Sequence, residues 1–146
     1  MSIWSSQAPC EILTSWQTST GNERLSMPRD PRAWLWDVQE ASGSIQSFVN
    51  GMDASAYVAS ELVRAAVERK FEVIGESLSQ LSKSEPALAA RVPDLPKIVA
   101  FRNLLIHGYA NVRHDTVWSA IHDSLPLLRQ AVEELLIELG SEGKTN

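Results

Sequence analysis

The chain has 146 residues, 44% of them hydrophobic and 21% charged, and a formal net charge of −5, which is the size and balance of one soluble globular domain. The acidic total argues against coating of nucleic acid by bulk electrostatics. No apolar run reaches the roughly 18–20 residues of a membrane span, and the single cysteine, Cys10, excludes an internal disulfide framework and fits the reducing cytoplasm.

Residues 1–26 are rich in Ser, Thr and Gln and show no sustained period; they are expected to form a poorly ordered extension, with Met27 as the start of the domain. The helical domain is expected over 27–140, and 141–146 read as a flexible tail. Asp30 is a good N-cap and Pro31 suits the first helical position, where a missing N–H costs nothing. Ala33, Trp34, Val38, Ala41, Ile45 and Phe48 then recur at helical steps. Trp34 and Trp36 cannot both face the core of one helix, and Trp34 fits the stripe.

Asn50-Gly51 stops this first helix, and Asp53 offers the next cap. A long second helical stretch is predicted over about 54–81, with a stripe of Val58, Leu62, Ala66, Val67, Ile74, Leu78 and Leu81; its early part can be a separate short turn. Three prolines within "SKSEPALAARVPDLP" make a connector with room for one helical turn. Asp94 is the expected cap of a third helix ending at His107, and Gly108 is placed to stop it. Asp115 is the expected cap of a last helix, in which Pro126 predicts a kink or break near His122–Ser124. No segment alternates with the two-residue period of a strand. The fold class is all-α, an antiparallel bundle of four to five helices.

The third helix carries the chemistry, in "FRNLLIHGYA" over 101–110. Arg102 offers a planar, permanently charged fork suited to phosphate. His107 can give and take a proton near neutral pH. Together they are sufficient parts for metal-free RNA cleavage, the histidine moving a proton at the 2′-OH or at the leaving oxygen and the guanidinium stabilising charge on the phosphate. A five-residue step places them roughly 140° apart around one helix. They converge either where the helix unwinds at Gly108 or across an interface between two copies of the helix. On residue types alone, Arg102 and His107 can equally be solvated or structural, Asn103 can bond a neighbouring helix, and Tyr109 can be a half-buried anchor.

The string "RNLLIHGY" resembles the Arg-Asn-x-x-x-His-x-Tyr motif of HepT-like toxins in the HEPN superfamily. "AAVERKFEVIGESLSQLS", with Ile74, Gly75 and Glu76, is similar to that family's second long helix, and "VWSAIHDSLPLLRQAVEELL" to its last. The resemblance implies a symmetric homodimer with metal-independent endoribonuclease activity at a composite cleft, acting as the toxin of a type VII-like toxin–antitoxin system in the cytoplasm. Arg102 and His107 would be the catalytic pair, with Asn103 supporting them. Tyr109 would be the residue to which a nucleotidyltransferase antitoxin transfers AMP from ATP. RNA and that antitoxin are the implied partners, and neither a cofactor nor a metal is implied. The competing reading is a non-catalytic helical subunit of a nucleotidyltransferase.

Other candidates are weaker. Glu76 can face the same cleft, although a surface carboxylate is the plainer reading. Gly75 in mid-helix costs roughly 1 kcal/mol relative to Ala and points to close helix packing. His114 and His122 match no metal-ligand spacing, and Arg64, Arg69 and Lys70 read first as a solvated face.

Overall fold

A computed structural model describes residues 29–142. The expected extension over 1–26, its start at Met27, and tail residues 143–146 lie outside the described residues. The elements are α1 (Pro31–Phe48), α2 (Ala54–Ala59), α3 (Glu61–Ser84), α4 (Pro86–Ala89), α5 (Leu95–His107), a 3-10 turn at Tyr109–Asn111, α6 (His114–Ser119), a π-helical segment at Ala120–Ser124, and α7 (Leu125–Glu142). No strand occurs among the described residues, and the four long helices make an all-α bundle.

Local chemistry sets most boundaries. The Asp30 side chain accepts from the Arg32 N–H, with Pro31 in the first turn. Asp53 accepts from the Ala56 N–H at 2.8 Å, satisfying one of the donors left open at the start of α2. Gly51, with φ +79°, takes the left-handed conformation that lets the chain turn between α1 and α2. Ser60 is extended and caps α3 through the Val63 N–H, so α2 and α3 are separate helices rather than one.

That break explains a departure from the predicted stripe. Val58 and Leu62 are exposed, Leu62 by 81%, and Tyr57 is buried in their place. The extended residue at 60 rotates α2 relative to α3, so a pattern counted through it loses phase. Two caps also differ from expectation. Asp94 stands at the N-cap of α5 as expected, but with a left-handed φ of 56° and no side-chain cap bond; it lies 4.0 Å from Lys97 instead. Arg113 stands at the cap position of α6 and Asp115 sits one residue inside, holding the Thr116 N–H. Near Pro126, the Leu125 N–H reaches back five residues to the Ala120 carbonyl. This wide turn absorbs the donor that proline lacks.

Helix α3 is central, packed along both α1 and α5, and α7 lies along α1. Leu35, Val38, Ile45, Ile74, Leu78, Leu81 and Val132 are fully buried between them, each worth about 1.5–3 kcal/mol relative to exposure. Trp34 is buried and Trp36 is 58% exposed, as one helical face requires. Phe48, by contrast, is 38% exposed at the end of its stripe. No helix among the described residues is long and apolar enough to cross a membrane.

Candidate functional site

Helix α5 is apolar nearly all round, yet a single chain buries little of it. Leu95 and Leu105 are buried, Phe101 is half-buried, and Leu104 and Ile106 are exposed by about two-fifths each. The aliphatics between Arg102 and His107 are therefore not held on several sides within one chain. Ala100, Asn103, Leu104 and His107 form an exposed stripe at three- and four-residue steps. Arg102 and Ile106 turn the other way, toward α3.

Gly75 allows Arg102 to sit where it does. A Cβ built at position 75 would lie 2.3 Å from the Arg102 Cβ and 2.7 Å from its Cγ, so the arginine stem runs directly over bare backbone of α3. One residue on, the Glu76 carboxylate accepts from Arg102 Nη2 at 2.5 Å. Arg102 Nη1 donates to the Asn103 side-chain oxygen at 2.8 Å, and Gln80 donates to the other Glu76 oxygen at 3.0 Å. The fork is thus fixed by two neighbours, and each Nη keeps one further N–H for an anion. Glu76, read from sequence first as a surface carboxylate, lies against Arg102.

His107 closes the last turn of α5 and is exposed, with no hydrogen-bond partner among the described residues. The helix stays regular through it, and Gly108 ends it by donating to the Leu104 carbonyl at 2.8 Å without a left-handed φ. Unwinding at Gly108 thus does not bring His107 round to the Arg102 fork in one chain. The backbone of Tyr109 opens the following 3-10 turn; its side chain lies outside the described residues.

Beside Arg102 a cavity of about 620 Å³ opens between α1, α3 and α5. Three arginines line it and each is tied to a carboxylate that also lines it: Arg29 to Asp37 at 2.8 Å, Arg69 to Glu72 at 3.2 Å, and Arg102 to Glu76. The wall therefore carries no net charge.

A second polar cluster joins α2, α3 and α6, and sequence reasoning gave it no role. Arg64 Nη1 lies 3.1 Å from His114 Nε2. A guanidinium can only donate, so Nε2 accepts and the imidazole proton sits on Nδ1. That Nδ1, Arg64 Nε and the Tyr57 hydroxyl are buried without a hydrogen-bond partner among the described residues. Burial pushes the Glu68 carboxyl up, against the opposing pull of the Arg64 guanidinium. Burial likewise raises the Tyr57 phenol, with the Glu68 charge adding to the effect. The pair fastens α6 to α3 just beyond the turn that carries Tyr109. No group of His, Cys, Asp and Glu able to hold a metal occurs among the described residues.

The orphaned hydroxyl has a measurable consequence. Tyr57→Phe removes a buried polar group that gains no bond, while keeping the ring that sits 5.3 Å from Trp118. Stability is expected to rise by about 1 kcal/mol, seen as a melting temperature a few degrees higher. A loss of similar size would show that the hydroxyl is bonded to water.

A sequence profile described as Ribonuclease HepT-like matches residues 38–135. A "Putative RNase" of Methanocaldococcus jannaschii is 27% identical over 107 residues, covering 72% of this chain and 95% of that one. A "Putative RNase" of Caldanaerobacter subterraneus subsp. tengcongensis is 28% identical over 108 residues, covering 74% and 96%. A "Probable ribonuclease HepT" of Thermococcus cleftensis is 29% identical over 112 residues, covering 75% and 98%. No solved structure matches the chain significantly.

Proposed function

Because the chain belongs to the HepT-like ribonuclease family, we propose that it cleaves RNA without a metal, using Arg102 and His107 at a cleft shared by two copies. The observation that carries this reading is the placement of α5. Its arginine is fixed against α3 while its histidine stands on an exposed stripe with Asn103 and Leu104, so one chain offers the two groups on different sides. A two-fold pairing of α5 stripes would cover that apolar surface and bring two arginines and two histidines to one cleft.

In such a cleft one His107 accepts the proton of a ribose 2′-OH as its oxygen attacks the adjacent phosphorus. That same imidazolium, acting through a water of the cleft, then protonates the 5′-oxygen as the P–O5′ bond breaks. The products are a 2′,3′-cyclic phosphate and a 5′-hydroxyl, and the free Arg102 N–H groups stabilise the charge on the phosphoryl oxygens during the transfer. Cleavage of a single-stranded RNA by the purified protein in excess chelator tests the activity, and light scattering tests the dimer. No cleavage, or a strict monomer, would overturn the corresponding part.

The same reading makes this protein a toxin held in check at Tyr109. Tyr109 follows His107 by two residues, in the turn that leaves α5. Transfer of AMP to its phenol would join the tyrosine oxygen to the α-phosphorus of ATP and release pyrophosphate, placing a phosphodiester charge beside the cleft where an RNA phosphate must sit. After incubation with ATP and a nucleotidyltransferase antitoxin, the intact mass is expected to rise by AMP while RNA cleavage falls. Tyr109→Phe should block both changes, and a mass increase that persists in this variant assigns the acceptor elsewhere.

A further inference from the structure

The cavity beside Arg102 has a composition that does not suit a phosphate track. A groove for several phosphates needs an excess of cations, because each nearby carboxylate repels the strand about as strongly as each guanidinium attracts it. Here three arginines are matched by Asp37, Glu72 and Glu76. What remains is a neutral wall in which hydrogen-bond donors and acceptors alternate at close range. The edge of a nucleobase has that same character.

Two further details point to a base. Gln80 donates its amide N–H to Glu76, since a carboxylate can only accept, so the Gln80 carbonyl is left as an acceptor on the cavity wall. Arg29 lies over the Trp34 ring, 5.7 Å from its centroid, with half of its side chain exposed. The outer face of that guanidinium is a flat surface on which an unpaired base can stack. At about 620 Å³ the space falls within the size range of small-molecule sites.

We infer that this cavity receives one unpaired base of the RNA, belonging to the nucleotide whose phosphate contacts Arg102, and that it reads the edge of that base. Arg69 and Gln80 are then specificity-determining residues for the base, while Arg102 holds the phosphate. The inference takes its ligand from the ribonuclease reading, but binding and cleavage are measured separately and can fail separately.

The test is titration of the full chain with the four ribonucleoside monophosphates, phosphate at 3′ or 5′, and with ribose phosphate, followed by amide and indole NMR shifts. The expected result is that one base binds at least about tenfold tighter than ribose phosphate, with shifts centred on Trp34, Gln80 and Arg102. Arg69→Lys, at an exposed position that leaves the core untouched and keeps the wall's charge balance while losing the planar fork, should lower that nucleotide's affinity toward the base-free level without changing the affinity for ribose phosphate. Equal affinity for all the nucleotides and for ribose phosphate overturns the proposal. So does an Arg69→Lys loss shared by ribose phosphate, which would make Arg69 a phosphate contact. If wild type binds a base selectively yet cuts no RNA, the cavity assignment stands and the ribonuclease reading falls.

Discussion

His107→Ala and Arg102→Ala should each lower RNA cleavage by about 10²–10⁴-fold, the range for removing a proton-transfer group or a charge-stabilising donor. Neither change should unfold the protein. His107 is exposed and unbonded among the described residues, and the Arg102 head faces an open cavity. The sharper expectation concerns a mixture of the two inactive proteins, co-refolded so that subunits exchange. If the cleft is shared, a mixed dimer keeps one arginine and one histidine in the same site and recovers a measurable fraction of activity. If each chain holds a complete site, the mixture stays as inactive as its parts, because every chain lacks one member. Recovery thus separates a shared cleft from two independent sites, which the single variants cannot do.

Gly75→Ala is expected to have nearly as large an effect, though residue 75 has no functional group. In an exposed helix this substitution would stabilise by up to about 1 kcal/mol. Here the new methyl would meet the Cβ and Cγ of Arg102 at 2.3 and 2.7 Å. The Cβ is fixed to the α5 backbone and cannot swing aside as a side-chain tip could. The helices must part or the arginine must leave Glu76, at a cost typical of overpacking, about 1–3 kcal/mol. Cleavage should fall by at least about tenfold, and circular dichroism melts should show a lower midpoint. Combined with Arg102→Ala, Gly75→Ala should still lower the melting midpoint, because residue 102 keeps the Cβ that the new methyl meets. An active, more stable Gly75→Ala protein would contradict the close approach of α3 and α5.

Much of this architecture is legible in the sequence because the relevant signals are local. Asp30-Pro31 starts α1, Asn50-Gly51 ends it, and the proline at 126 announces the irregular turn that precedes it. The Arg102 and His107 placements on one helix are likewise local, and the five-residue step already separates them around its axis. The remainder depends on how elements meet in space. Val58 and Leu62 fit a continuous helical stripe; the sequence allows a separate early turn, and the extended backbone at Ser60 places the break. Arg64 and His114 are 50 positions apart, and no period links them. Glu76 looks like a surface carboxylate until α5 is laid across it, and Gly75 hints at close packing without naming its neighbour. The cavity arises where three helices converge, so its matched charges are visible only once Asp37, Glu72 and Glu76 stand on a common wall.

The approach of Gly75 to Arg102 also bears on inheritance. Two positions on separate helices are bound into a single selectable unit, since any side chain at 75 competes for the volume that the arginine stem occupies. In descendants of this chain, loss of the glycine should be accompanied by loss of the arginine's placement against α3. Position 75 then becomes a marker, readable without any assay, for copies that retain the bundle but have given up the chemistry.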